Sequence, residues 1–309
     1  MNALGQPLAE YLAVRRALGY KLDRAGKLLA QFIAFLDQRG AQTITTELAL
    51  EWATLPPRAG SNWHAHRLSV VRGFAGWLNA TDPACQVPPA DAIAWRQRRA
   101  TPYLYGDAEI AALLAAAAIF STPHRTATLR TLVGLLAVTG MRVGEAIRLD
   151  RSDVDHRGGL VVVRESKFGK SRELPLHPTT LAALRSYLRR RDRPATALDT
   201  PAVFVSAAGT RLLYCNVQHA FARLVRAAGL GSRGGSCRPR LHDLRHTFAV
   251  TTLLEAYRAD ADVGARLPLL STYLGHVDPG ATYWYLEAAP ELLALAGDRL
   301  ERHLEGARR

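Results

Sequence analysis

The stretch RLHDLRHTF, residues 240–248, sets a histidine and an arginine three residues apart. At that spacing His242 and Arg245 share one side of a helix. Asp243 fits an N-cap, and the apolar run from Ala249 to Leu254 continues as helix. A helix start offers free N–H groups and the positive end of the helix dipole, so the spot suits a phosphate. Other groups stand where a fold would present them. Arg142 follows a strongly apolar run, with Glu145 three residues on to brace its guanidinium. Lys167 lies near the tip of a hairpin. His276 follows Gly275 at a helix end, and Tyr285 comes nine residues later. Taken singly, each has a plain reading: a capping arginine, a solvated lysine, a C-cap histidine favoured by the dipole, a core tyrosine.

The elements that must position these groups follow from periodicity. The chain has 309 residues, 48% of them hydrophobic, enough for a core and for two domains. Forty Lys and Arg against 27 Asp and Glu give a net charge of +13, which points to a polyanion partner. Cys85, Cys215 and Cys237 are scattered, which suggests neither a disulfide frame nor a zinc site and fits a reducing cytoplasm. No run approaches the ~20 apolar residues of a spanning helix, and no signal-peptide pattern opens the chain.

Residues 8–20, 24–38, 46–52 and 61–79 place apolar side chains at helical spacing and form a small all-α bundle. Thr46 is the expected cap of the third helix. Arg15, Arg16, Lys21, Lys27, Arg67 and Arg72 are left for the outer face, with His64. Pro83, Pro88, Pro89 and Pro102 break the pattern, and Arg96, Arg98 and Arg99 make this linker basic. The second domain opens near Tyr103, with Asp107 capping a helix over 108–118. A buried helix over 128–138 runs to Gly140. Residues 160–164 form the clearest strand, and 172–176 pair back as a hairpin around Gly169. Helices are expected over 179–190, 216–228, 243–257, 268–274, 280–287 and 290–304, and a short strand over 202–206. The Gly-rich segment 231–236 reads as mobile. No carboxylate pair converges for two-metal chemistry, and no Walker or G-x-G-x-x-G pattern occurs, so no metal or cofactor is implied.

Order and spacing together carry more than the pieces do. TGMRVGEAIRL (139–149), ESKFGKSRELPL (165–176), RLHDLRHTFA (240–249), YLGH (273–276) and TYWYL (282–286) resemble the tyrosine recombinases, the phage integrase family. The resemblance spans residue 103 to the end, and the helical bundle is similar to the family's SAM-like core-binding domain. LPLLSTYLGH with TYWYL looks like the branch found in transposons and other mobile elements.

The resemblance implies a mainly α fold with a small antiparallel β-sheet: a four-helix DNA-binding domain over 1–82, a linker over 83–102, an α+β catalytic domain over 103–297, and a tail over 298–309. It implies that Arg142 and Arg245 clamp a phosphate, with Lys167, His242 and His276 assisting and Tyr285 as nucleophile. Tyr283, seven residues after His276, is the rival nucleophile. His246 matches a non-catalytic position and, one step from Arg245, is expected to face elsewhere. The implied reaction cuts and rejoins double-stranded DNA through a 3′-phosphotyrosine, without cofactor. The implied partners are a homo-tetramer on paired sites and accessory recombinases, in the cytoplasm and away from membranes. The alternatives are topoisomerase-like relaxation of DNA and a regulator that binds DNA without catalysis. The Leu-rich final helix suits either a neighbouring subunit or its own domain.

Overall fold

Apolar side chains recurring every three to four residues fold the first part of the chain as helices. The computed structural model describes residues 3–57, 59–95, 100–164, 169, 171–191, 200–276, 278, 280–288 and 290–306. The chain divides into two units, Met1–Arg99 and Ala100–Arg309. In the first, α1 (Gly5–Ala17), α2 (Asp23–Gln38), α3 (Thr46–Thr54) and α4 (Ser61–Asn79) enclose one core. Leu29, Phe32 and Leu36 of α2 are buried with Trp52 of α3 and Leu68, Val71 and Phe74 of α4. Each such burial contributes roughly 1.5–3 kcal/mol.

Three local expectations are corrected in this unit. Thr45, not Thr46, caps α3, its Oγ1 accepting from the Leu48 amide at 3.2 Å. Cys85 is buried in the helical core and the Gln86 amide donates to Ile44 O, so the start of the expected linker packs as part of the unit. Arg67 is not on the outer face. Its guanidinium lies 3.7 Å over the Trp52 ring and donates to Trp52 O at 2.7 Å. A long arginine stem and flat head can be buried where an aromatic face and a carbonyl receive them. The basic cluster Arg96, Arg98 and Arg99 lies outside the described residues.

The second unit holds α5 (Asp107–Ala116), α6 (Pro123–Thr139), α7 (Val143–Arg148), a three-stranded sheet, α8 (Pro178–Arg191), α9 (Tyr214–Ala227), α10 (Asp243–Arg258), α11 (Val263–Leu274), α12 (Gly280–Ala288) and α13 (Pro290–Gly306). The strands β1 (Val154–Asp155), β2 (Leu160–Val163) and β3 (Arg172–Pro175) are antiparallel in that order. Val161 stands opposite Leu174, and Val163 opposite Arg172. Lys167 lies outside the described residues.

Several boundaries move for physical reasons. Gly106, not Asp107, caps α5, and the Glu109 carboxylate accepts its amide at 2.9 Å. The strand expected over 202–206 is reduced to isolated bridges, Asp150 with Ala202 and Val205 with Arg211. Helix α11 starts well before residue 268, because Asp262 caps it and accepts the Ala265 amide at 3.1 Å; Pro268 is carried inside. The limit placed at 297/298 falls inside α13. That helix packs on its own unit: Leu292 is buried, Arg258 pairs with Glu291 at 2.6 Å, and Arg299 donates to Ala261 O at 2.7 Å. Among the described residues no helix is long and apolar enough to cross a membrane.

Candidate active site

Helix α6 ends at Gly140, which adopts φ +58°. A Cβ there would stand 2.5 Å from the Phe248 ring, so glycine is required both by the backbone and by space. The turn delivers Arg142 to the N-cap of α7. Glu145, three residues on, is 3% exposed. Its carboxylate accepts the Arg142 amide and the Arg142 Nη1, both at 2.9 Å. The same carboxylate accepts Arg172 Nη2 at 2.8 Å and Nη1 at 3.3 Å. Arg172 Nε donates to Tyr273 O at 2.7 Å, and Arg142 Nη2 to Gly275 O at 3.4 Å. One buried carboxylate therefore holds two guanidiniums, and the end of α11 supplies carbonyls to both.

The start of α10 differs from the sequence expectation. His242 occupies the N-cap, and Asp243 is the first helical residue, fully buried. Its carboxylate turns back on Arg240, accepting the amide at 3.2 Å, Nε at 3.0 Å and Nη2 at 2.9 Å. The amides of Asp243 and Arg245 already donate to Arg240 O and His242 O. Side chains, rather than these amides, are thus left to receive an anion.

The segment 231–236 is tied down rather than loose. Arg233 grips Glu109 at 2.7 and 2.8 Å and donates to Leu104 O, and Ser236 Oγ accepts the Thr101 amide. Tyr105 completes the strap, its amide donating to Thr247 Oγ1 and its hydroxyl to Arg240 O.

Arg245 is buried, and its partners are neutral. Nη1 donates to Gly140 O at 2.9 Å, and Nη2 to Leu274 O at 2.7 Å and His276 Nε2 at 2.9 Å. The carbonyls belong to the ends of α6 and α11, the negative ends of two helix dipoles. Among the described residues no carboxylate pairs directly with it. Burial, and then the nearby Arg142 charge, push its pKa down to about 10, while Tyr285 and the Glu145 charge oppose that shift.

His276 accepts from Arg245 at Nε2, so its proton sits on Nδ1, which donates to Thr282 Oγ1 at 2.7 Å. In this tautomer Nε2 offers a lone pair and no proton. Burial, then Arg245 and Arg142, push its pKa down to about 4. His242 is exposed on the rim, and the protein mass around it, followed by Arg245, lowers its pKa.

Tyr285 is 2% exposed, its ring stacked 6.0 Å from that of His276. The rival Tyr283, two residues earlier and so on another side of α12, is 52% exposed. Arg142, His242, Arg245, His276 and Tyr285 thus meet in one place. Three participants were not anticipated. Arg172 could have been found by strand alternation, since it shares a face with the buried Leu174 and Leu176. His246 could have been found as the fourth residue after His242, since both lie on one helix face. It does not face elsewhere: its ring stands 5.5 Å from that of Tyr285. Thr282 carries no such signal. Among the described residues, no three His, Cys, Asp or Glu side chains are grouped to hold a metal.

Residues 105–291 match the phage integrase family. A protein of Sinorhizobium fredii carrying the name integrase/recombinase y4rB is 44% identical over 99% of both chains. Tyrosine recombinase XerC of Mycobacterium sp. strain JLS is 31% identical over 97% of this chain and 98% of its own. The fold is similar to that of the Tn1549 transposon integrase in complex with transposon right-end DNA, with TM-score 0.66 and 16% identity over 96% of this chain and 98% of that one. The chain belongs to the phage integrase family and is a tyrosine-type site-specific recombinase.

Proposed function

We propose that Tyr285 attacks a DNA backbone phosphate held between Arg142 and Arg245. The observation that carries this reading is the placement of Tyr285, buried with its ring 6.0 Å from that of His276, whose Nε2 accepts from Arg245 at 2.9 Å. The phenolic oxygen bonds to phosphorus as the bond to the 5′-oxygen breaks, leaving a 3′-phosphotyrosine and a free 5′-hydroxyl. A 5′-hydroxyl from a second strand reverses the step. One phosphodiester replaces another, so no nucleotide is consumed. Charge builds on the non-bridging oxygens, and two permanently charged planar forks suit that geometry. The phenol proton goes to His242, the rim imidazole kept neutral by its surroundings. Lys167 is the proposed acid that protonates the leaving 5′-oxygen. The Nε2 of His276 orients Arg245 until a phosphate oxygen competes for the guanidinium.

The partner is double-stranded DNA, in keeping with a net charge of +13. The helical unit is proposed to be the core-binding domain. Exchange between two sites involves four strands, which calls for a homo-tetramer, with accessory recombinases as further partners, in the cytoplasm. Kinship with the Sinorhizobium integrase/recombinase and the transposon integrase fold supports service to a mobile element. The test is to incubate the purified protein, without ATP, with a plasmid bearing the DNA that flanks its gene and with one lacking it. Recombinant junctions confined to the first plasmid are expected. Relaxation of both plasmids with no new junctions would instead assign topoisomerase activity.

A further inference from the structure

We infer that His246 is a positioning residue for the nucleophile, its ring fixing the Tyr285 ring against the arginine clamp. The inference rests on Tyr285 being the attacking residue. His246 follows Arg245 directly, and the helical period brings it to the side of His242. The two imidazoles meet edge to face at 4.8 Å. His246 also meets Trp284 at 4.8 Å and Tyr285 at 5.5 Å, both edge to face. Tyr285 therefore contacts two imidazoles in different orientations: His276 at an interplanar angle of 24° and His246 at 60°. A single stacked neighbour lets a ring slide in its own plane. A second neighbour set across it fixes the position as well as the tilt.

The chemistry of the side chain fits this role. His246 is 12% exposed, its Nδ1 is buried without a hydrogen-bond partner, and its Nε2 stands 3.9 Å from Asp243 Oδ1, too far for a hydrogen bond. An imidazolium here would be buried beside His242, Arg240, Arg245 and His276, and these surroundings push the pKa down to about 3. The ring is neutral at working pH. It packs on the nucleophile without adding a cation that would compete with the clamp for phosphate.

The test uses the full chain on a nicked duplex carrying its site, with the covalent adduct followed in single turnover at saturating DNA. Misplacing a reacting group by about 1 Å can cost on the order of 10²-fold. His246→Ala should therefore cut the rate about 10- to 100-fold with no change in the half-saturating DNA concentration. His246→Phe, which restores a ring, should recover most of the rate. Should the alanine variant fail to fold, His246→Leu takes its place: a branched aliphatic side chain should be slow where phenylalanine is fast. Wild-type rates in the alanine or leucine variant, a loss confined to DNA affinity, or a phenylalanine variant as slow as the others would each overturn the inference. Tyr285→Phe in the same assay separates the two levels. An adduct from that variant removes the nucleophile assignment itself; no adduct from it, beside a fully active His246→Ala, removes the positioning role alone.

Discussion

The two arginines of the proposed clamp are held by opposite means. Arg142 shares a buried carboxylate with Arg172, so a counter-ion holds it directly and compensates its charge in part. Arg245 is buried more deeply, and carbonyls and an imidazole receive it. Dipoles orient a cation without neutralising it. Burying a charge without a direct counter-ion is unfavourable, and in the proposed reaction an arriving phosphate supplies that partner. The braced half fixes geometry, and the uncompensated half carries the stronger demand for an anion. The contrast also assigns Gly140 and Gly275 their place: both are left-handed helix ends whose carbonyls receive one arginine each.

The sharpest way to break this comparison is to remove the uncompensated half. Arginines that stabilise phosphoryl transfer are worth about 10³–10⁵ in rate, and Arg245→Ala should lose that much in adduct formation while DNA binding stays measurable. Arg245→Lys should not restore it, since a point charge cannot serve two helix ends and a phosphate together. A proportionate loss of binding and cleavage would merge the two halves into one DNA contact. Removing Glu145 attacks the braced half instead. Breaking a buried ion pair costs about 3–5 kcal/mol, so Glu145→Ala should show first as a lowered denaturant midpoint.

Gly140→Ala strains a positive φ and meets Phe248, at a cost of about 1–3 kcal/mol, read as a drop in Tm. The smallest effect is the pH response. His276 and His246 are pushed down to about 4 and about 3, below the value near 6.5 of an unfolded chain. The unfolded state then binds more protons from about pH 6.5 down to about 3, so stability is complete above that window and falls as the solution is acidified through it. Tm should drop by several degrees across it, and less in His246→Phe.

Much of the site was legible because its chemistry is local in the chain. His242 and Arg245 share a helix turn, Arg142 and Glu145 are three apart, and Gly140 and Gly275 mark helix ends. The convergence of these pieces came from the family's motif order, because no spacing rule links residue 142 to residue 285. What stayed hidden was pairing across distance. Arg172 reaches Glu145 from a strand, and Arg67 reads as a surface cation until Trp52 is seen beneath it. Asp243 looks like a cap, but Arg240 takes its carboxylate. One helical step turns His246 from Arg245, which reads as pointing away from the site; that step turns it toward α12, which carries Trp284 and Tyr285.

The central claim is that the buried Tyr285, and not the exposed Tyr283, joins the DNA. The most direct measurement traps the adduct on a nicked duplex, digests protein and DNA, and locates the nucleotide-bearing residue by mass spectrometry. A nucleotide attached through its 3′-phosphate to Tyr285 is expected. A nucleotide on Tyr283, or on any residue outside α12, would contradict it.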